Sequence, residues 1–128
     1  MRAAPKILLV DDTKTLTTLM RVYLMGWSMQ FHDARDGATA LHLARALKPD
    51  LVITDIKMPV MDGFQLCEAI RGDPALAQTP IILLTQLEDE ASREKGQQVG
   101  ATAFLKKPVS VENLRSVVAR VLNLGPTA

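Results

Sequence analysis

The feature that most constrains this chain is a series of short apolar runs: Ile7-Leu8-Leu9-Val10, Met29 to Ala34, Leu51-Val52-Ile53-Thr54, Ile81-Ile82-Leu83-Leu84 and Ala103-Phe104-Leu105. The first, third and fourth are apolar at successive positions instead of alternating. A strand of that kind is covered on both faces, as in a parallel sheet flanked by helices. The segments between the runs carry the helical period. Leu16, Leu19, Met20, Tyr23 and Leu24 fall at i, i+3, i+4, i+7 and i+8. Leu41, Ala44 and Leu47 repeat the pattern more briefly, and Val111, Leu114, Val118, Val121 and Leu122 do so near the end, with Ser110 placed as an N-cap. Glu88 to Val99 is polar and poor in large apolar residues, which predicts a lightly packed, mobile helix. The order is therefore (βα)5, and right-handed crossovers make it an open, doubly wound parallel five-stranded sheet with helices on both faces.

With 128 residues, the chain suits one domain with its own core, about residues 5–124, and a short flexible tail at 125–128. A net charge of +1 gives no field that would draw the chain to nucleic acid or an acidic membrane. No stretch approaches the ~20 apolar residues of a membrane span, and the N-terminal apolar run is too short for a signal peptide, so a cytoplasmic location is expected. Cys67 is the single cysteine, which rules out an internal disulfide. It sits in an apolar helical pattern and reads as a small core hydrophobe.

Ligands of open parallel sheets bind at the carboxyl ends of the strands. There the first run is followed by Asp11-Asp12, the third by Asp55, the fourth by Thr85 and the fifth by Lys106-Lys107-Pro108. Three carboxylates that close raise one another's pKa, and a hard divalent cation resolves the conflict. Mg²⁺ takes oxygen ligands, often carboxylates plus water and a phosphate. Lys107 would add a fixed positive charge and Thr85 a hydrogen-bond donor, a set suited to a phosphoryl group. Asp55, at the end of the third strand, is the candidate nucleophile for an aspartyl-phosphate. Singly, each of these residues has an ordinary explanation as a turn aspartate, a satisfied hydroxyl or a solvated lysine. Their weight lies in closing four different strands of one topology.

The stretches ILLVDD at 7–12, ARDGATAL at 34–41, DIKMPVMDGF at 55–64, PIILLT at 80–85 and GATAFLKKPV at 100–109 resemble response-regulator receiver domains of two-component signalling, of the CheY-like type. The resemblance implies the flavodoxin-like strand order 2-1-3-4-5, carried over from the family. It implies that Asp55 accepts a phosphoryl group from a histidine kinase or histidine phosphotransfer protein. It also implies that Asp11, Asp12, Asp55 and the backbone carbonyl of Lys57 hold Mg²⁺, and that Thr85 and Lys107 grip the phosphoryl oxygens. Phe104 matches the aromatic switch residue, and a cis Lys107–Pro108 bond is expected. The output would be a shift of the face formed by the fourth helix, fifth strand and fifth helix, read by a downstream protein target or effector domain. Such a chain is a signalling phosphoacceptor that catalyses only its own phosphorylation and dephosphorylation, as a monomer or weak dimer, stand-alone or as part of a longer chain.

Three positions depart from the common pattern. Gln86 follows Thr85 where relatives usually carry a small residue, Phe104 lacks a tyrosine hydroxyl, and Lys57 puts a cation beside the site. Lys57 and Gln86 are expected to alter the lifetime of the phosphorylated state. Two other classes compete. A dehalogenase-like phosphatase would need a D-x-D pattern after the first strand, where this chain has Asp11-Asp12-Thr13. A phosphorylation-independent interaction module on a receiver fold usually lacks an acidic residue or the lysine, and all are present here.

Overall fold

The computed structural model describes residues 4–86 and 90–125. Its elements alternate as β1 (Lys6–Val10), α1 (Lys14–Tyr23), β2 (Gln30–Ala34), α2 (Gly37–Leu47), β3 (Leu51–Asp55), α3 (Gly63–Gly72), β4 (Ile81–Thr85), α4 (Glu90–Gln98), β5 (Ala103–Lys106) and α5 (Val111–Leu122). All strand pairings are parallel, in the order β2-β1-β3-β4-β5. This is the flavodoxin-like (βα)5 fold.

Side chains alternate across a strand, so the unbroken apolar runs supply both faces. Leu8, Val10, Val52, Ile81 and Leu83 meet Ala40, Leu41 and Ala44 of α2 and Leu66, Cys67 and Ile70 of α3. Ile7, Leu9, Leu51, Ile53, Ile82 and Leu84 meet Met20 and Leu24 from the α1 side and Leu114 and Val118 of α5. Each fully buried aliphatic side chain contributes roughly 1.5–3 kcal/mol relative to its exposed state. Cys67 belongs to the first cluster, where burial pushes its thiol pKa up and its Sγ donates to the Val99 carbonyl at 3.2 Å.

Helix starts follow their local chemistry. Asp36 accepts from Thr39 N at 2.7 Å, Asp62 and Gln65 form a reciprocal capping box, and Ser110 accepts from Asn113 N at 3.0 Å. Thr13 precedes α1 without a side-chain cap bond, because its hydroxyl is turned to Asp11.

Two expectations are adjusted. Leu19, placed in the inward stripe of α1 by its spacing, is 39% exposed, while Thr17 is fully buried. The inner line of the helix runs through Thr17 and Met20, and Thr17 tolerates burial because its hydroxyl donates to the Lys14 carbonyl at 3.1 Å. The polar segment predicted from Glu88 to Val99 is helical over Glu90–Gln98, and its first two residues lie outside the described ones. Of the tail, Gly125 is described and its carbonyl accepts from Trp27 Nε1 at 3.2 Å, while 126–128 lie outside the described residues. Among the described residues no helix is long and apolar enough to cross a membrane.

Candidate phosphoryl site at the carboxyl edge

Strand register brings the predicted residues together. Val10 pairs with Thr54, Asp55 with Leu84, and Thr85 with Lys106. Asp11, Asp55, Thr85 and Lys107 therefore leave adjacent strands at one level. Asp11, Asp12 and Asp55 each offer a carboxylate oxygen, all within 4.8 Å of one another. Asp11 and Asp55 are buried and Asp12 is exposed.

Each side chain is set by near neighbours. Asp11 Oδ2 accepts from the Thr13 hydroxyl at 2.6 Å and the Thr13 backbone N–H at 3.0 Å. Asp55 Oδ1 accepts from Ile56 N at 2.8 Å, and its Oδ2 accepts from Lys107 Nζ at 2.9 Å. Lys107 Nζ also lies 3.6 Å from Asp11 Oδ1. The Lys107 backbone N–H donates to the Thr85 carbonyl at 2.7 Å, and the Lys107–Pro108 bond is cis, as expected. Of the adjacent lysines, Lys107 thus faces the carboxylates, while Lys106 lies on the exposed end of β5.

The loop after Asp55 depends on Gly63. A Cβ there would lie 2.4 Å from the Asp55 carbonyl oxygen, so α3 can start against β3 only with glycine at this position. The Gly63 N–H donates to the Ile56 carbonyl at 2.8 Å. Asp62 and Asp36, the other aspartates of the quoted motifs, serve as helix caps and do not join the acidic cluster.

Burial pushes the Asp55 carboxyl above the ordinary carboxylate range; Lys107 opposes the rise and Asp11 adds to it. Burial acts on Asp11 in the same direction, but the two Thr13 donors, with help from Asp55 and Lys107, hold it below that range. The neighbours have opposite tendencies, as expected of like charges sharing a low-dielectric site.

The donor set fits a hard divalent cation. It offers carboxylate oxygens and no sulfur or imidazole. Asp11 Oδ1 is buried without a hydrogen-bond partner among the described residues. Burying an acceptor without a donor costs about 1–3 kcal/mol, and a cation at this point would remove that cost.

Beside Asp55 a cleft of about 100 Å³ opens, lined by Ile56, Lys57, Leu84, Thr85, Gln86 and Ser92. Two of the three departures from the common pattern, Lys57 and Gln86, therefore border the same space as Asp55. Sequence reasoning missed Ser92, Thr13 and Arg35, whose guanidinium donates to the Asp11 backbone carbonyl at 3.3 Å. Thr13 and Arg35 flank motif residues, but nothing in the pattern says where their side chains turn. Phe104 sits on β5 beneath α4: a Cβ on Gly96 would lie 2.4 Å from its Cε1, and Arg93 lies 5.7 Å from the ring centroid. Gly96 is the one buried residue described in α4.

A family model described as the response regulator receiver domain matches residues 7–119. The chain is 36% identical over 104 residues to the response regulator PleD of Caulobacter vibrioides, covering 81% of this chain and 23% of PleD. The chemotaxis response regulator CheY4 of Vibrio cholerae superposes with a TM-score of 0.87 at 34% identity, covering 94% of this chain and 100% of that one. The receiver domain of the sensor histidine kinase PA1611 from Pseudomonas aeruginosa PAO1 was solved with a magnesium ion coordinated in its active site cleft. It superposes with a TM-score of 0.85 at 28% identity, covering 94% of this chain and 99% of that one. The chain spans about a quarter to a half of the length of several curated relatives that it matches. The match over residues 7–119 and the shared fold agree with the motifs read from the sequence: the chain belongs to the response regulator receiver domain family.

Proposed function

We propose that the chain is a phosphorylation-activated receiver whose phosphoacceptor is Asp55. The observation that carries this reading is the position of the Asp55 carboxylate. It ends the central strand β3, lies within reach of Asp11, Asp12 and the Lys107 ammonium, and borders an open cleft. The donor is a phosphohistidine of a kinase or phosphotransfer protein. An Asp55 oxygen forms the new O–P bond as the N–P bond breaks and the imidazole leaves; water later cleaves the acyl phosphate.

Asp11, Asp12, Asp55 and the Lys57 carbonyl would hold Mg²⁺, which would supply positive charge against the phosphoryl oxygens. Lys107 supplies a second positive charge from the β5 side, and Thr85 a hydroxyl from β4. Lys57 and Gln86 line the approach and so set how readily water enters.

Phosphorylation adds about −1.5 to −2 charges and three acceptor oxygens. Thr85 and Lys107 answer it at the ends of β4 and β5, and the α4–β5–α5 face carries the change to a downstream protein or effector domain. Helix α4 suits this role because it docks through Gly96 on Phe104, with Lys95 placed 4.9 Å from the Phe64 ring centroid, and contributes no large apolar side chain among the described residues. The test is uptake of one phosphoryl group from a small phosphodonor in the presence of Mg²⁺, an uptake that Asp55→Asn abolishes.

A further inference from the structure

Arg35 follows the last residue of β2 and reaches across to the exit of β1. One of its guanidinium nitrogens donates to the Asp11 backbone carbonyl and to Thr17 Oγ1, each at 3.3 Å. The other donates to Asp33 Oδ2 at 2.7 Å. Asp33 is gripped a second time by Arg21. Burial alone would raise the Asp33 pKa, but the two guanidiniums outweigh it and keep the carboxyl below its ordinary range. The bracket is therefore a charged pair tied to a fully buried threonine of α1.

Both main-chain groups of Asp11 are thus fixed from the end of β2. Its N–H donates to the Ala34 carbonyl at 3.1 Å, and its carbonyl accepts from Arg35. That carbonyl belongs to the peptide joining Asp11 to Asp12. The plane of that peptide enters ψ at Asp11 and φ at Asp12, the backbone dihedrals on either side of it, and so helps set how the two side chains leave the chain relative to one another.

We propose that Arg35 is a positioning residue of the acidic site: its grip on the Asp11 carbonyl orients the Asp11–Asp12 peptide so that both carboxylates converge with Asp55 on a divalent cation. This rests on reading the three aspartates as a magnesium site. The alternative action of Arg35, through its charge, has the opposite sign. Removing a cation near an acidic cluster would by field alone tighten divalent binding, whereas loss of positioning weakens it. Partners that orient metal ligands typically change affinity by about 10–100-fold when removed.

The experiment is a magnesium chloride titration of the ¹⁵N-labelled full chain, following the amide resonances of residues 11–13, in wild type, Arg35→Ala, Arg35→Lys and Arg21→Ala. Arg21 also pairs with Asp33 but has no hydrogen bond to Asp11 among those described, so it controls for general loosening. Magnesium affinity is expected to fall by about 10-fold in Arg35→Ala and to stay near wild type in Arg21→Ala. Arg35→Lys keeps the charge but cannot present a rigid two-nitrogen fork, and it is expected to weaken binding as well. If Arg35→Ala does not fold, the lysine variant alone decides: unchanged affinity overturns the proposal. Tighter or unchanged binding in Arg35→Ala, or an equal loss in Arg21→Ala, overturns it too. A wild type with no saturable response at these amides overturns the magnesium reading itself, and this inference with it.

Discussion

Lys107 Nζ lies 2.9 Å from Asp55 Oδ2 and 3.6 Å from Asp11 Oδ1, so one ammonium faces both buried carboxylates. In the proposed mechanism this charge is the link between the phosphoryl group and β5. Lys107→Ala is expected to abolish the change in α4 and β5 amide resonances on loading with beryllofluoride, while Lys106→Ala leaves it near wild type. The reverse pattern would place the signal on the neighbouring lysine.

The raised pKa of Asp55, caused chiefly by burial, makes a stability prediction. A carboxyl that protonates more readily folded than unfolded costs the folded state when ionised. The cost is absent below the ordinary carboxylate range and appears as pH rises through the folded value. Asp55→Asn is therefore expected to be more stable than wild type at neutral pH without divalent cation. The advantage should vanish in acid. Magnesium should shrink it by binding the native wild type. Denaturant midpoints at both pH values, with and without magnesium chloride, check each part.

Val60 carries a φ of 70° while 83% exposed. A β-branched residue in the left-handed region is strained, by roughly 1–2 kcal/mol, and an exposed side chain has little packing to offset this. Val60→Asn, which tolerates that backbone, is expected to raise stability by about 1 kcal/mol. A shift of the denaturation midpoint to lower denaturant would contradict the strain argument.

Gly96 admits the Phe104 ring against α4 at a distance no side chain could share. In Gly96→Ala the added methyl would collide with the Phe104 ring and press on Leu83, and α4 is expected to lift in response. Amide hydrogen exchange is expected to quicken across Glu90–Gln98 while β1 and β3 keep their protection. Unchanged exchange in α4 would mean that the ring gives way instead.

Much of this was legible in the sequence for a physical reason. Apolar runs at Ile7–Val10, Leu51–Ile53 and Ile81–Leu84 suit a sheet covered on both faces, and a parallel sheet brings the residues that close its strands, Asp11, Asp55, Thr85 and Lys107, to one edge. Contacts made by polar side chains across elements were not legible. Spacing put Leu19 inside and gave no reason to bury Thr17, because the acceptor that makes its burial tolerable, the Lys14 carbonyl, is set by the helix itself. Arg35 and Ser92 carry no periodic signal, and only the folded backbone brings one to Asp11 and the other to the cleft beside Asp55.

The most direct measurement is intact mass followed by peptide mapping after incubation with a small phosphodonor, with and without magnesium. The account predicts a gain of one phosphoryl group, dependent on magnesium, on the peptide carrying Asp55, and none in Asp55→Asn. Modification at another residue, or equal uptake by Asp55→Asn, would contradict it.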